Sequence, residues 1–239
     1  MNRILEVFGR SPVLLPVVHP IGRVEAFAAI RTARAVGVKG VFLIDQGMHE
    51  RELLSLVREV RERYPTLWIG LNLLTRRPAD ALISALDACG VIDGIWSDDA
   101  SVDERVSDSS PQLRADEFVA ARRVRHWSGL YFGGVAFKYQ REIAAEDLTR
   151  AAVMSAPYMD VLCTSGPGTG SPAAVSKVRE LRMGLGDQHA MALASGVTPE
   201  NVQVYTPYVQ AFLVGTGIEE SLGVFDPRKI EALMKAMDA

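Results

Sequence analysis

The chain alternates short apolar runs with amphipathic segments along its whole length, and this pattern constrains the fold more than any other feature. Apolar runs bounded by turn residues predict buried strands, and segments of helical periodicity between them predict crossover helices. We predict strands at 13–18, 40–44, 67–73, 92–96, 130–137, 160–164, 190–194 and 211–215. We predict helices at 24–36, 49–63, 78–88, 114–126, 146–155, 172–184, 198–205 and 227–237.

Eight such units without a break in composition predict an α/β fold, a single (β/α)₈ TIM barrel spanning residues 1–239 as one domain. A doubly wound open sheet is the alternative. It would need fewer strands, and it would not by itself explain why polar residues follow nearly every strand. These residues are His19, Asp45, Gln46, Asn72, Asp98, Asp99, Lys138, Thr164, Ser165, Ser195 and Thr216. In barrels they would meet at the carboxyl-terminal mouth, where active sites lie.

Two glycine-containing junctions end the seventh and eighth strands, in "ALASGVTPENV" and "AFLVGTGIEESL". Glycine lets a backbone approach a ligand closely, and N–H groups at a following helix start favour an anion. Barrels often hold phosphate between these two loops. We therefore predict a phosphate site at Ser195, Gly196, Val197, Gly215, Thr216 and Gly217. The alternative is a capping box from Thr216 to Glu219 on a short helix at 217–222.

A third glycine-rich loop, "TSGPGTGSP", follows the sixth strand. We predict a flexible loop that closes over a ligand, comprising Ser165, Gly166, Gly168, Thr169 and Gly170. The alternative is a connection that needs glycine for positive φ and Pro172 for the first turn of a helix. A longer acidic segment at 97–117 is either a lid or a solvated surface excursion.

The candidate catalytic residues are Lys138, Asp45, His19 and Asp98. Lys138 could pair with one of the carboxylates, bind a phosphate or carboxylate, or form a Schiff base after desolvation. His19 could act as an acid, a base or a metal ligand, with a buried hydrogen-bonding role as the alternative. We predict no metal and no cofactor, because the chain has no HxH motif and only His19, Asp45 and Asp98 would remain as ligands.

Composition limits the partners. The net charge of -3 gives no reason to expect nucleic-acid or membrane-surface binding, and no apolar stretch approaches the length of a membrane span. The early run "PVLLPVV" contains two prolines and is interpreted as a strand rather than a signal peptide. Cys89 and Cys163 lack the spacing of a disulfide framework, which favours a reducing, cytoplasmic location. A homo-oligomer is compatible with the sequence.

Several stretches together resemble the BtpA family: "DVLCTSGPGTGSPAAVSKV", "ASGVTPENV", "FLVGTGI" and "DPRKIEALM". The resemblance implies a TIM-barrel-like fold. The family is named for a role in photosystem I biogenesis, although relatives occur in organisms without photosynthesis, so it also implies an undetermined enzymatic role. Lys138 matches a lysine at the end of the family's fifth strand, but Tyr139 replaces the histidine that follows. Such departures indicate a divergent branch.

The leading hypothesis is an enzyme acting on a small phosphorylated metabolite, a sugar phosphate or a nucleotide-like compound, at the barrel mouth. Isomerisation, carbon–carbon cleavage and phosphoribosyl transfer all suit a phosphate site beside a base and a lysine. Two alternatives are a non-catalytic assembly factor of the BtpA type and a Schiff-base aldolase using Lys138.

Overall fold

Eight parallel strands close into a barrel in the order of the chain, in a computed structural model that describes residues 2–239. The strands are β1 (Val13–Val18), β2 (Gly40–Ile44), β3 (Trp68–Asn72), β4 (Gly94–Ser97), β5 (Leu130–Gly134), β6 (Val161–Ser165), β7 (Ala190–Ala194) and β8 (Ala211–Val214). Strand β8 pairs with β1 and so closes the sheet. The predicted (β/α)₈ fold is confirmed.

The helices cover the outside of this barrel. They are α1 (Arg3–Phe8), α2 (Arg23–Ala35), α3 (Glu50–Arg63), α4 (Pro78–Cys89), α5 (Leu113–Val124), α6 (Leu148–Ser155), α7 (Val175–Leu185) and α8 (Pro227–Met237). Helix α1 was not predicted. The Asn2 side chain caps it by accepting from the N–H groups of Ile4 and Leu5. Ile4 is fully buried, and the Phe8 ring lies 5.3 Å from the Trp68 ring, so α1 packs on side chains of the barrel interior.

Near the carboxyl terminus the predicted helix at 198–205 is wrong, and the short helix at 217–222 that the capping-box alternative required is not formed. The segment 198–205 contains only a 3₁₀ turn, Val202–Val204. The Asn201 side chain there accepts from the Thr198 N–H and donates to the Gly196 carbonyl, and such local bonds compete with helical ones. In place of this short helix the chain forms a 3₁₀ turn, Thr216–Ile218, followed by a hairpin of β9 (Glu219–Ser221) and β10 (Val224–Phe225).

The barrel interior follows the period-two alternation of strands. Val13, Leu15 and Val17 point inward from β1, and Phe42 and Ile44 point inward from β2. Continuing the alternation beyond the strands brings every second residue to the mouth. His19 and Gln46 continue the inward series, whereas Asp45 falls between inward positions. In the same way Asp98 continues the inward series of Trp96.

The long segment after β4 is anchored by Glu104 and Gln112, while residues 107–109 between them are exposed. Gln112 is buried and bonds the backbone of Asp103 in both directions, through its side-chain oxygen and nitrogen. Glu104, only 3% exposed, forms an ion pair with Arg141, and Arg150 donates to the Glu104 carbonyl. These contacts favour a fixed loop over a lid. Among residues 2–239, no helix has the length and apolarity to cross a bilayer.

Candidate active site

A cavity of about 220 Å³ opens at the carboxyl-terminal mouth of the barrel. Its floor is apolar and includes Val17, Ile44 and Trp96. Its polar lining is contributed by His19, Gln46, Asp98, Lys138, Tyr139, Thr169, Ser195, Gly196, Gly215, Thr216 and Gly217. An apolar cavity with a few converging polar groups is the usual form of a small-molecule site.

Lys138 reaches across this cavity to neutral partners. Its Nζ donates to Ser195 Oγ at 2.9 Å and to Thr169 Oγ1 at 3.1 Å. Asp98 interacts with it only at longer range, and no carboxylate among residues 2–239 lies within 4.0 Å of the ammonium. A direct ion pair with Asp45 or Asp98, one of the three roles open to Lys138, is therefore not formed. The cavity contains a positive charge without a contacting counter-charge.

The two glycine junctions lie against each other beside this lysine. Ser195 and Gly196 are consecutive left-handed residues, both with φ of 66°. A Cβ on Gly217 would lie 2.3 Å from the Val197 carbonyl oxygen, and a Cβ on Gly215 would lie 2.6 Å from His19 Cε1. Glycine is required at both positions because neighbouring groups occupy the space of a side chain.

Four backbone donors in these junctions have no acceptor. The N–H groups of Gly196, Val197, Thr216 and Gly217 donate to no protein group within residues 2–239. Three of these residues line the cavity, and Val197 is buried directly behind it. Val197 is buried, Gly196 and Gly217 are half-buried and Thr216 is exposed, so these donors are accessible to water or to a bound anion. The 3₁₀ turns that follow are too short for the helix dipole that we expected to assist, so the N–H groups act without it.

The opposite side of the mouth presents a carboxyl group. Asp98 lines the cavity and accepts a hydrogen bond from Asn72 Nδ2 at 3.0 Å. Burial raises the pKa of Asp98, and the nearby Asp45 charge adds to this, while Asn72 and Lys138 oppose it. Burial also raises the pKa of Asp45. The Asp45 side chain is not part of the cavity lining, because it accepts from the Leu74 N–H at 2.9 Å. Gln46, rather than Asp45, contributes to the cavity lining at the end of β2.

His19 is oriented by a carboxylate that the sequence did not reveal as a partner. Its Nδ1 lies 3.2 Å from Glu219 Oε1, and Glu219 also accepts from the Gly223 N–H. Glu219 is 6% exposed and is engaged with His19 and the hairpin, so the predicted capping box with Thr216 is wrong. An Nδ1–H bond to Glu219 leaves Nε2 as the free nitrogen, and within residues 2–239 Nε2 has no hydrogen-bond partner.

The metal alternative is not supported by side-chain placement. His19, Asp45 and Asp98 do not gather, and in the described part of the chain no three His, Cys, Asp or Glu side chains form a group that could hold a metal. Cys163 is fully buried in the barrel interior, and burial raises the pKa of its thiol well above the usual range.

The first residues of the glycine-rich loop after β6 are buried, and the later ones are more exposed. Ser165 is fully buried and its Oγ accepts from the Lys138 N–H at 2.8 Å. Gly166 is packed so closely that a Cβ would lie 2.0 Å from the Ser171 carbonyl oxygen. Thr169 lines the cavity and its N–H donates to Tyr139 Oη at 3.2 Å, whereas Gly168 and Gly170 are more open. Ser165 and Gly166 are thus packed in place, while Gly168 and Gly170 are more open; the closing motion of this loop stays a prediction.

Tyr139 and Glu219 were not predicted as site residues. Tyr139 lies beside Lys138 and has a positive φ of 62°, but no sequence motif marks such a backbone. Glu219 lies 200 residues from His19 in the chain, so only the closure of the barrel brings them together. The hairpin pattern after "GTG" could have indicated that this segment was not helical.

Comparisons with known proteins identify the fold. No protein-family model and no curated protein matches the chain. Among solved structures, phosphoribosyl anthranilate isomerase from Thermus thermophilus superposes with a TM-score of 0.63 at 15% identity, covering 95% of this chain and 98% of that one. A 4-hydroxy-2-oxoglutarate/2-dehydro-3-deoxyphosphogluconate aldolase superposes with a TM-score of 0.63 at 19% identity, covering 98% of both chains. A phosphoribosyl anthranilate isomerase in complex with reduced 1-(o-carboxyphenylamino)-1-deoxyribulose 5-phosphate gives 0.60 at 14% identity, covering 95% and 98%. At these identities the likeness shows the barrel fold.

Proposed function

We propose that this chain is an enzyme that acts on a small phosphorylated metabolite of the sugar-phosphate class. The observation that carries the proposal is the group of four free N–H donors in the loops after β7 and β8, next to the Lys138 ammonium. Backbone donors and a cation without a contacting counter-charge are the two features that hold a phosphate. Solved barrels of similar fold include an isomerase bound to a ribulose 5-phosphate derivative.

We further propose that the chemistry is proton transfer, with isomerisation as the best-supported reaction. Two groups suited to general acid–base catalysis line the cavity from different sides, Asp98 after β4 and His19 after β1. Burial raises the pKa of Asp98, which favours its protonated form and so suits a carboxyl group that acts as a proton donor as well as an acceptor. His19, held at Nδ1 by Glu219, offers Nε2 as the second proton acceptor. An isomerisation needs such a pair because a proton leaves one atom and another atom gains one.

A crystal soaked with phosphate, followed by one soaked with sugar phosphates, tests the proposal. We expect density for an anion within hydrogen-bonding distance of the Gly196, Thr216 and Gly217 N–H groups and of Lys138 Nζ. We also expect sugar phosphates to raise the melting temperature more than the corresponding unphosphorylated sugars do, since ligands that bind the native state stabilise it. Density for an anion only at other sites, under saturating phosphate, contradicts the proposal.

The two alternatives from the sequence remain separate proposals. In the Schiff-base hypothesis, the Lys138 amine would attack a substrate carbonyl, whereas in our proposal Lys138 binds the phosphate. Borohydride reduction in the presence of a carbonyl substrate should therefore leave no adduct on Lys138. A mass increase at this residue would favour the aldolase hypothesis. Membership of the BtpA family stays a hypothesis that rests on the motifs alone.

A further inference from the structure

A second lysine, Lys177 on α7, is half-buried behind the loop that carries Lys138. It lines a separate cavity of about 470 Å³ between the segments after β5 and β6, together with Phe137 and Leu148. Its Nζ donates to the Ser165 carbonyl at 2.7 Å and to the Ala136 carbonyl. No carboxylate within residues 2–239 lies within 4.0 Å of it. The ammonium therefore donates hydrogen bonds to two backbone oxygens and to no carboxylate.

The segment that Lys177 holds has an unfavourable backbone. Ala136 and Tyr139 have φ of 48° and 62°, in the left-handed region that side-chain-bearing residues rarely adopt. Such a conformation persists only when surrounding contacts over-determine it. Two contacts besides Lys177 contribute: Thr164 Oγ1 donates to the Ala136 carbonyl at 3.3 Å, and the Lys138 N–H donates to Ser165 Oγ at 2.8 Å.

These contacts form a continuous connection from α7 to the cavity. Lys177 Nζ donates to the Ala136 carbonyl, two residues before Lys138, and to the Ser165 carbonyl. The Ser165 hydroxyl in turn accepts from the Lys138 N–H. The main chain is thus held at two points that precede the Cα of Lys138, the Ala136 carbonyl and the Lys138 N–H, and the Lys138 side chain then reaches Ser195 Oγ. Removing Lys177 would take a side-chain donor from the carbonyl of buried Ser165, leave the Ala136 carbonyl with the weaker bond from Thr164, and release the strained segment.

We propose that Lys177 is a positioning residue, which holds the 136–139 segment in its strained conformation and thereby directs the Lys138 ammonium to the anion site. The inference rests on the proposed function, in which Lys138 binds the phosphate of the substrate. Lys177 itself is behind the segment and contacts no substrate. Burial lowers its pKa to about 8, which agrees with an ammonium that has no acidic partner.

A double-mutant cycle with inorganic phosphate as the probe, measured by calorimetry on the full chain, tests this role. We expect K177M to weaken phosphate binding about tenfold in the wild-type background and by less than about twofold in a K138M background, because residues that act through one another are not additive. K177R keeps the charge and the donors and should recover most of the affinity. K235M, which removes an exposed lysine on α8, is the control for loss of one charge.

Additive effects of K177M and K138M would overturn the proposal, since they would show a general effect on stability. A crystal structure of K177M tests the positioning role of Lys177 independently of phosphate binding. We expect the 136–139 segment to relax and the bond from Lys138 Nζ to Ser195 Oγ to be lost; an unchanged segment overturns the proposal. K177Q replaces K177M if the apolar side chain prevents folding. Failure of wild-type protein to bind phosphate would instead contradict the proposed function, and the K177M structure would still decide the role of Lys177.

Discussion

The two sides of the barrel mouth present different chemical groups to the cavity. The side formed after β7 and β8 uses backbone N–H groups, glycines in close contact and a lysine held by hydroxyl groups. The side formed after β3 and β4 uses side chains, a carboxyl group on Asp98 and the amide of Asn72 that orients it. One side offers donors and positive charge, and the other offers an acid whose pKa is raised by burial.

This difference indicates that one side suits anion binding and the other suits proton transfer. Backbone donors cannot change their protonation, so they suit a group that keeps its charge throughout, such as a phosphate. A carboxyl group whose pKa is raised by burial suits a step in which a proton moves. The division also predicts different responses to mutation: the backbone side should be sensitive to added volume, and the carboxyl side should be sensitive to charge and pH.

The largest effect is expected at Gly196. An alanine there would keep a φ of 66° and place its Cβ 2.2 Å from the Ser171 carbonyl oxygen. We expect Gly196→Ala to lower the free energy of unfolding by about 3 kcal/mol, from backbone strain and displacement of the neighbouring loop. Gly170→Ala is the matched control, because Gly170 has a φ of 76° with open space around it and should lose only about 1–2 kcal/mol. Urea unfolding measures both. Equal losses would mean that the close contact between the loops has no energetic role.

The next largest effect concerns the charge on the same side. Lys138→Met should weaken binding of inorganic phosphate or a sugar phosphate more than tenfold, because a charge-assisted contact contributes about 1.5–3 kcal/mol. Lys138→Arg should keep part of the affinity, although a planar fork replaces a compact ammonium. Calorimetric titration measures the dissociation constants. Unchanged affinity in Lys138→Met would reduce this residue to a structural role and leave the backbone N–H groups as the whole anion site.

A smaller effect of opposite sign is expected on the carboxyl side. The pKa of Asp98 is raised in the folded state, so the folded chain holds this proton more tightly than the unfolded chain does, and stability falls as pH rises above the ordinary range of Asp, about 3.9. Asp98→Asn removes the buried charge while its side-chain oxygen can still accept from Asn72. We expect the variant to be more stable than wild type at pH 7 by about 0.5–2 kcal/mol and to lose catalytic turnover.

Chemical denaturation across pH 4–7 measures this difference. The advantage of Asp98→Asn should shrink as the pH falls, because the wild-type carboxyl group becomes neutral there. A variant that is less stable than wild type at pH 7 would contradict the expected role of burial at this site.

Sequence periodicity was sufficient for the barrel, because every strand and most helices repeat a pattern that local packing alone dictates. It was also sufficient for the glycines after β7 and β8, since close approach requires glycine whatever the partner is. It failed where distant segments meet. The capping-box alternative treated Glu219 as a helix cap, but the hairpin places it on His19. No sequence pattern singled out Lys177, because its two carbonyl partners come from the loops after β5 and β6.

The smallest expected effect tests whether the positive side of the mouth depends on a half-buried lysine as well as on Lys138. The pKa of Lys177 is lowered to about 8 by burial, from a usual value near 10.5. Between these two pH values the unfolded chain binds more protons than the folded chain does, so the contribution of Lys177 to the free energy of unfolding rises with pH in this window. Chemical denaturation of wild type and Lys177→Met at several pH values from about 7 to 10 isolates this contribution, because titration of the other groups cancels in the difference. The wild-type curve should gain stability relative to the variant as pH rises through about 8, and Lys235→Met, which changes an exposed lysine, should follow the wild type. Parallel curves for wild type and Lys177→Met would show that Lys177 keeps an ordinary pKa, and the ammonium would then be well solvated rather than enclosed behind the Lys138 loop.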